Sequence, residues 1–174
     1  PPLQFYVAAP FVGIFSGSAF AARFPFAVFG LLTVIVIIVW LWRSNASILT
    51  WLLMSAGIIG NVSFFLFSRQ CRYYSLAIFF TTLLAYQYYF RDNRKRTLLL
   101  ISLTSVLLLA SNYLNYAAAY GCLIVDYLIW GRKEKPLKFK KITIVFVSQL
   151  ILGGLLLSFY NPFGKSIWGN EFAF

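Results

Sequence analysis

Arg69 and Arg72 are the residues best suited to chemistry in this chain. They lie in Ser68-Arg69-Gln70-Cys71-Arg72-Tyr73-Tyr74, between apolar runs 47–67 and 75–90 that hold no charged residue. A guanidinium inside a bilayer costs ~2.5–3.5 kcal/mol at the centre and less at the edge, unless it reaches water, a counter-ion or a headgroup. Three residues apart, the two would share one face of a helix continuing through them. Two planar forks on one face suit a phosphate gripped bidentately. The plainer reading is an interfacial anchor, with both side chains snorkelling to lipid headgroups.

The chain around them reads as an integral membrane protein. Of its 174 residues, 61% are hydrophobic, 20% aromatic and only 11% charged, against about 25% charged in a soluble domain. Fifteen Lys and Arg against four Asp and Glu give a net charge of +11. The basic residues fall in short clusters between apolar runs, which is a topology signal and not a nucleic-acid footprint. There is no histidine, which excludes histidine metal sites, Ser-His triads and histidine bases within these residues. Cys71 and Cys122 form no CxxC pair and read as packed apolar thiols. No phosphate-binding glycine loop occurs, and no cofactor is identifiable.

Hydropathy places about six spans, at 24–42, 47–67, 75–90, 97–114, 116–130 and 142–160, in one transmembrane domain over 1–174. The expected fold is an all-α, multi-span helical bundle. Residues 1–15 are too short for a comfortable span and are expected to form an amphipathic interfacial helix or the start of a poorly formed span. A polar turn at 16–23 would follow, with Pro25 in the first turn of the first span, where a missing N–H is harmless. Gly57, Gly60 and Ser63 have the spacing of a close helix contact, or of chance. The spans at 97–114 and 116–130 form a tight hairpin, with Asn112 and Asn115 as turn residues at its tip. The loop 132–141 is the most basic stretch, a topology determinant able to bind anionic lipid. The segment from Asn161 onward is expected to be an aqueous or interfacial tail.

Charge fixes the orientation. Placing Arg43, 91–96 and 132–141 in the cytoplasm puts 11 of the 15 basic residues there, as the positive-inside rule requires. Arg23, Arg69 and Arg72 then stand on the outer rim against the trend, each at a helix end, which favours an anion site. Asp126, near the cytoplasmic end of its span, is expected to pair with Arg132 or Arg91; a proton-relay role is the alternative. Glu171 reads as a solvated tail acid.

Two stretches carry a family resemblance. Pro1-Pro2-Leu3 with Ala21-Ala22-Arg23-Phe24-Pro25 and Phe29-Gly30-Leu31-Leu32-Thr33-Val34 resembles a "PPL … AARLPSALFGLLTV" pattern. Ser68-Arg69-Gln70-Cys71-Arg72-Tyr73-Tyr74-Ser75-Leu76 is similar to "SREARxYAL", departing from it at Gln70 and Cys71. These belong to the polyprenyl-phosphate-dependent GT-C glycosyltransferases, the group of protein O-mannosyltransferases and aminoarabinose transferases. The resemblance implies a GT-C-like fold in a cell membrane, the bacterial inner membrane above all. It implies a polyprenyl-phosphate-sugar donor and a glycan, lipid or protein acceptor on the outer face. Arg23, Arg69 and Arg72 would contact the carrier phosphate. The catalytic carboxylate is expected upstream of Pro1, with a further span and the first outer loop, so the chain is expected to be an inactive internal fragment. A transporter or flippase for a lipid-linked anion is the alternative; the inverted repeats and broken helices that would mark one are not evident in the sequence.

Overall fold

The computed structural model describes residues 3–15, 18–92, 94–131, 133 and 139–159, and every regular element among them is helical. The helices are α1 (Leu3–Ile14), α2 (Ala19–Arg43), α3 (Ile48–Gly60), α4 (Val62–Ser68), α5 (Tyr74–Tyr89), α6 (Lys95–Ser111), α7 (Tyr113–Asp126) and α8 (Phe139–Phe159). A π-helical turn, Tyr127–Gly131, continues α7.

Ser18, Ser47, Asn61 and Asn112 start α2, α3, α4 and α7. Each side-chain oxygen accepts from a backbone N–H of the first turn, the ordinary capping chemistry of Ser and Asn. Asn45, at φ 50°, turns the chain between α2 and α3, a left-handed position that Asn tolerates.

Aromatic contacts fix the helix directions. Phe29 of α2 meets Phe79 of α5 at 5.3 Å, and Trp40, further along α2, meets Tyr86 and Tyr89, further along α5. Arg43 then reaches the Tyr86 hydroxyl at 3.1 Å and the Phe90 ring at 4.5 Å. Thus α2 and α5 run parallel. The α3–α4 segment between them must return the length of α2. The α6–α7 hairpin folds at Asn112, with the Ser105 and Tyr120 hydroxyls 2.6 Å apart. In α8, Ser148 donates to Ser102 and Gly153 faces Leu109, so α8 runs parallel to α6. Arg23, the 69–73 link and Asn112 therefore lie at one end of the bundle, the rim end. Arg43, Arg91, Arg94, Lys95 and Arg96 lie at the other, the basic end.

The core is where α2, α5 and α6 meet: Phe26, Leu76, Ala77, Phe80, Leu84 and Leu108 are buried together. Their close van der Waals packing holds the three helices together. Outside it, much of the apolar surface is open; Phe20, Trp42 and Ile48 are 72–77% exposed.

Several expectations need correction. α1, LQFYVAAPFVGI, has no polar face, Gln4 and the Tyr6 hydroxyl being its polar groups, and is not amphipathic; it packs on α2 and α6. The turn expected at 16–23 is helical from Ala19, because Ser18 caps there. Pro25 is consequently the seventh residue of α2, not part of a first turn, and its missing N–H leaves the Ala21 carbonyl without a helical donor. The run 47–67 is no single helix: α3 and α4 meet at 60° across Asn61. Gly57 and Gly60 make no close helix contact, since a Cβ at either would meet open space.

Among the described residues α2 alone is one helix long and apolar enough to cross a membrane, and α3 with α4 together would be a second. Most of the loop 132–141 and all of the tail with Glu171 lie outside the described residues.

Candidate functional site: an arginine-lined groove at the rim end

Ser68 positions the site. Its Oγ donates to the Phe64 carbonyl at 2.7 Å and the residue packs on Gly30 of α2. Ser75, on the first turn of α5, donates to the Phe67 carbonyl at 3.0 Å. Phe67 and Tyr74 stack with centroids 4.6 Å apart. α4 is thereby held against both α2 and α5, and its C-capping residue is Arg69.

Arg69 faces a groove of about 340 Å³ that it lines together with Phe20, Arg23, Phe24 and Ala27. Arg23 and Arg69 are 46 residues apart in sequence and share this one concave surface. Both are exposed, and among the described residues neither has a carboxylate or hydrogen-bond partner. The walls are aromatic, with the Phe20 and Phe24 rings tilted against each other at 5.7 Å and Phe24 against Phe11 of α1 at 5.8 Å. Arg23 also acts on the Cys71 thiol. Partial shielding from water raises the Cys71 pKa, and the nearby guanidinium opposes part of that rise.

Arg72 is placed differently. The 69–73 link is not helical, so Arg69 and Arg72 do not share a helix face as the spacing suggested. Arg72 is exposed, outside the groove lining, and next to Tyr73. The groove thus brings together two of the three arginines. The sequence reading missed its aromatic walls, although Phe20 and Phe24, one helical turn apart and flanking Arg23, carried the signal.

The described carboxylates, Asp92 and Asp126, both lie at the basic end. The groove can therefore hold an anion with an apolar tail, but no described residue in it serves as a general base. No group of described residues has the ligands for a metal ion.

At the basic end, Asp126 does not pair with Arg91; it accepts the Tyr88 hydroxyl at 2.7 Å. Arg91 is buried. It lies over the Tyr88 ring at 4.1 Å and donates to the carbonyls of Tyr88 (3.0 Å) and Gly131 (3.1 Å). This joins the end of α5 to the π-helical turn. Arg132, the other expected partner, is outside the described residues. Asn112 is a capping turn residue, accepting from Leu114 and Asn115. Asn115 instead lines a second groove of about 460 Å³ between α5 and α7, with Thr81, Thr82, Ala85, Ala118 and Cys122.

No family model, curated protein or solved structure matches this chain.

Proposed function

We propose that the chain belongs to a membrane glycosyltransferase that moves a sugar from a polyprenyl-phosphate carrier to an acceptor on the outer face of a cell membrane. The carrying observation is the pairing of Arg23 with Arg69 on one apolar-walled groove, at the end opposite Arg43 and Arg91–Arg96. In this reading the bundle is GT-C-like and crosses the bilayer about six times, with α3 and α4 as one crossing. The open apolar surface supports burial in lipid, since a soluble monomer rarely leaves contiguous apolar patches above a few hundred Å².

The chemistry follows from charge. As the bond between sugar and carrier breaks, the leaving phosphate gains negative charge. Two guanidinium groups converging on one apolar-walled groove stabilise that charge more than the ground state. Losing one such donor costs about 10²–10³-fold in rate by analogy with oxyanion sites. The test is sugar transfer from a polyprenyl-phosphate donor by the full-length protein in proteoliposomes. Arg23→Ala and Arg69→Ala are each expected to reduce transfer by about that factor; unchanged transfer removes the groove from the reaction.

A transporter or flippase for a lipid-linked anion is the second reading. The break at Asn61 favours it, because discontinuous helices are a feature of transport sites. Translocation of a fluorescent polyprenyl phosphate without sugar transfer would select it.

A further inference from the structure

The second groove, between α5 and α7, differs in kind from the first. It has a volume of about 460 Å³, and no residue lining it is charged. Toward the basic end it is closed by the Tyr88–Asp126 hydrogen bond. Ala85 and Cys122 line the groove, and Tyr88 and Asp126 lie one turn further along the same two helices. Toward the rim end it reaches Asn115, in the first turn of α7. Its wall on α5, from Ile78 to Ala85, is about 10 Å long.

Two polar side chains of this lining lack partners. Thr82 does what a threonine in an apolar helix usually does: its Oγ1 donates to the Ile78 carbonyl at 2.9 Å. Thr81 does not. Its Oγ1 is buried and has no hydrogen-bond partner among the described residues. The Asn115 side-chain amide also has none among them; the backbone N–H of Asn115 is the group that Asn112 Oδ1 binds. A hydroxyl or amide removed from water costs free energy until it is bonded, and folded proteins rarely leave one open. Both groups can donate and accept, and neither carries charge.

We propose that the α5–α7 groove binds a neutral lipid that bears a hydroxyl group. The chain lies on the apolar wall, and the hydroxyl bonds to Asn115 or, deeper, to Thr81. Charge sorts the two grooves. An anionic headgroup meets Arg23 and Arg69 in the first and no cation in the second, where a charge would stand desolvated and unpaired. The proposal rests on the membrane reading above but not on sugar transfer.

The test is photolabelling of the full-length protein in phosphatidylcholine nanodiscs. The probes are hexadecanol, hexadecane and hexadecyl phosphate, each with a diazirine on its chain, and adducts are located by peptide mass spectrometry. Hexadecanol is expected to label 78–85 and 115–123 on the order of fivefold more than hexadecane, as one or two neutral hydrogen bonds would give. Hexadecyl phosphate should label 20–27 instead. Thr81→Val combined with Asn115→Leu should bring hexadecanol labelling down to the hexadecane level. Ala118→Phe, at an exposed position of the lining, should block both probes. Equal labelling of the groove by hexadecanol and hexadecane in the parent protein overturns the proposal, and this comparison needs no variant to fold. Equal labelling there by hexadecyl phosphate overturns it as well. Adducts elsewhere on the chain but none in the groove overturn the groove alone, and a Cys122-linked dimer would then assign it to a second copy. No adducts anywhere overturn the membrane reading too. Hexadecanol in this groove with no phosphate probe at 20–27 would sink the arginine site and leave this one standing.

Discussion

Ser68 occupies the space that a side chain on Gly30 would need: a Cβ built there would lie 2.6 Å from Ser68 Oγ and 2.8 Å from its Cβ. That contact sets how closely α4 approaches α2, and so where Arg69 stands relative to Arg23. Gly30→Ala is expected to destabilise the protein by about 1–3 kcal/mol, the usual range for overpacking. Adding Ser68→Gly should recover part of the loss. Thermal unfolding in detergent, run on both variants, checks the pair; additive losses would deny the contact.

Gly131 has a comparable role at the basic end. A Cβ there would come within 2.6 Å of Arg91 Nη2 and 2.8 Å of the Tyr88 hydroxyl. Gly131→Ala should therefore open the junction of α5 with the π-helical turn and lower the melting temperature. Asp126→Asn keeps an acceptor for Tyr88 and should cost little. Asp126→Leu strands that hydroxyl and should cost about 1–3 kcal/mol.

Asp92 supplies a pH signature. The Thr97 hydroxyl, above all, and the Arg94 backbone N–H hold its carboxyl below the ordinary value of 3.8. A depressed folded pKa favours the folded chain above 3.8, and that contribution is lost as pH falls through the folded value. Thr97→Val should move the midpoint upward. An NMR titration of the labelled carboxyl in micelles reads it directly, and an unmoved midpoint would discard the hydroxyl as the cause.

Arg23 and Arg72 can be separated by their effects on Cys71. The Arg23 charge opposes the rise in the thiol pKa, so Arg23→Ala should raise it further and slow alkylation near neutral pH. Arg72→Ala should leave alkylation nearly as it was. In the transfer assay Arg72→Ala should also cost less than Arg69→Ala, because Arg72 is not part of the groove lining. Arg69→Lys should recover only part of the function, since an ammonium lacks the planar fork.

The helix run was largely legible because apolar length and cap residues are local properties. Tyr74–Tyr89 and Phe139–Phe159 lie within a few residues of the positions that hydropathy indicates. The hairpin at Asn112 was legible for the same reason. The break at Asn61 was not, because one Asn among strongly apolar neighbours barely lowers a window average; Gly60 beside it was the available cue. Arg23 and Arg69 could be assigned to one end by charge counting, but their meeting depends on how α4 docks. Asp126 was matched to Arg91 or Arg132 by charge alone, whereas among the described residues its partner is Tyr88, set by the packing of α5 on α7.

Because α2 lies directly along α5 in the same direction, α3, which has no buried residue, takes no part in holding them together. α3 is a tether rather than a strut. A chain cut between Asn45 and Ala46 should reassemble from its two pieces, with α2 and the α1 packed on it docking onto the remainder through Phe26, Phe29 and Trp40.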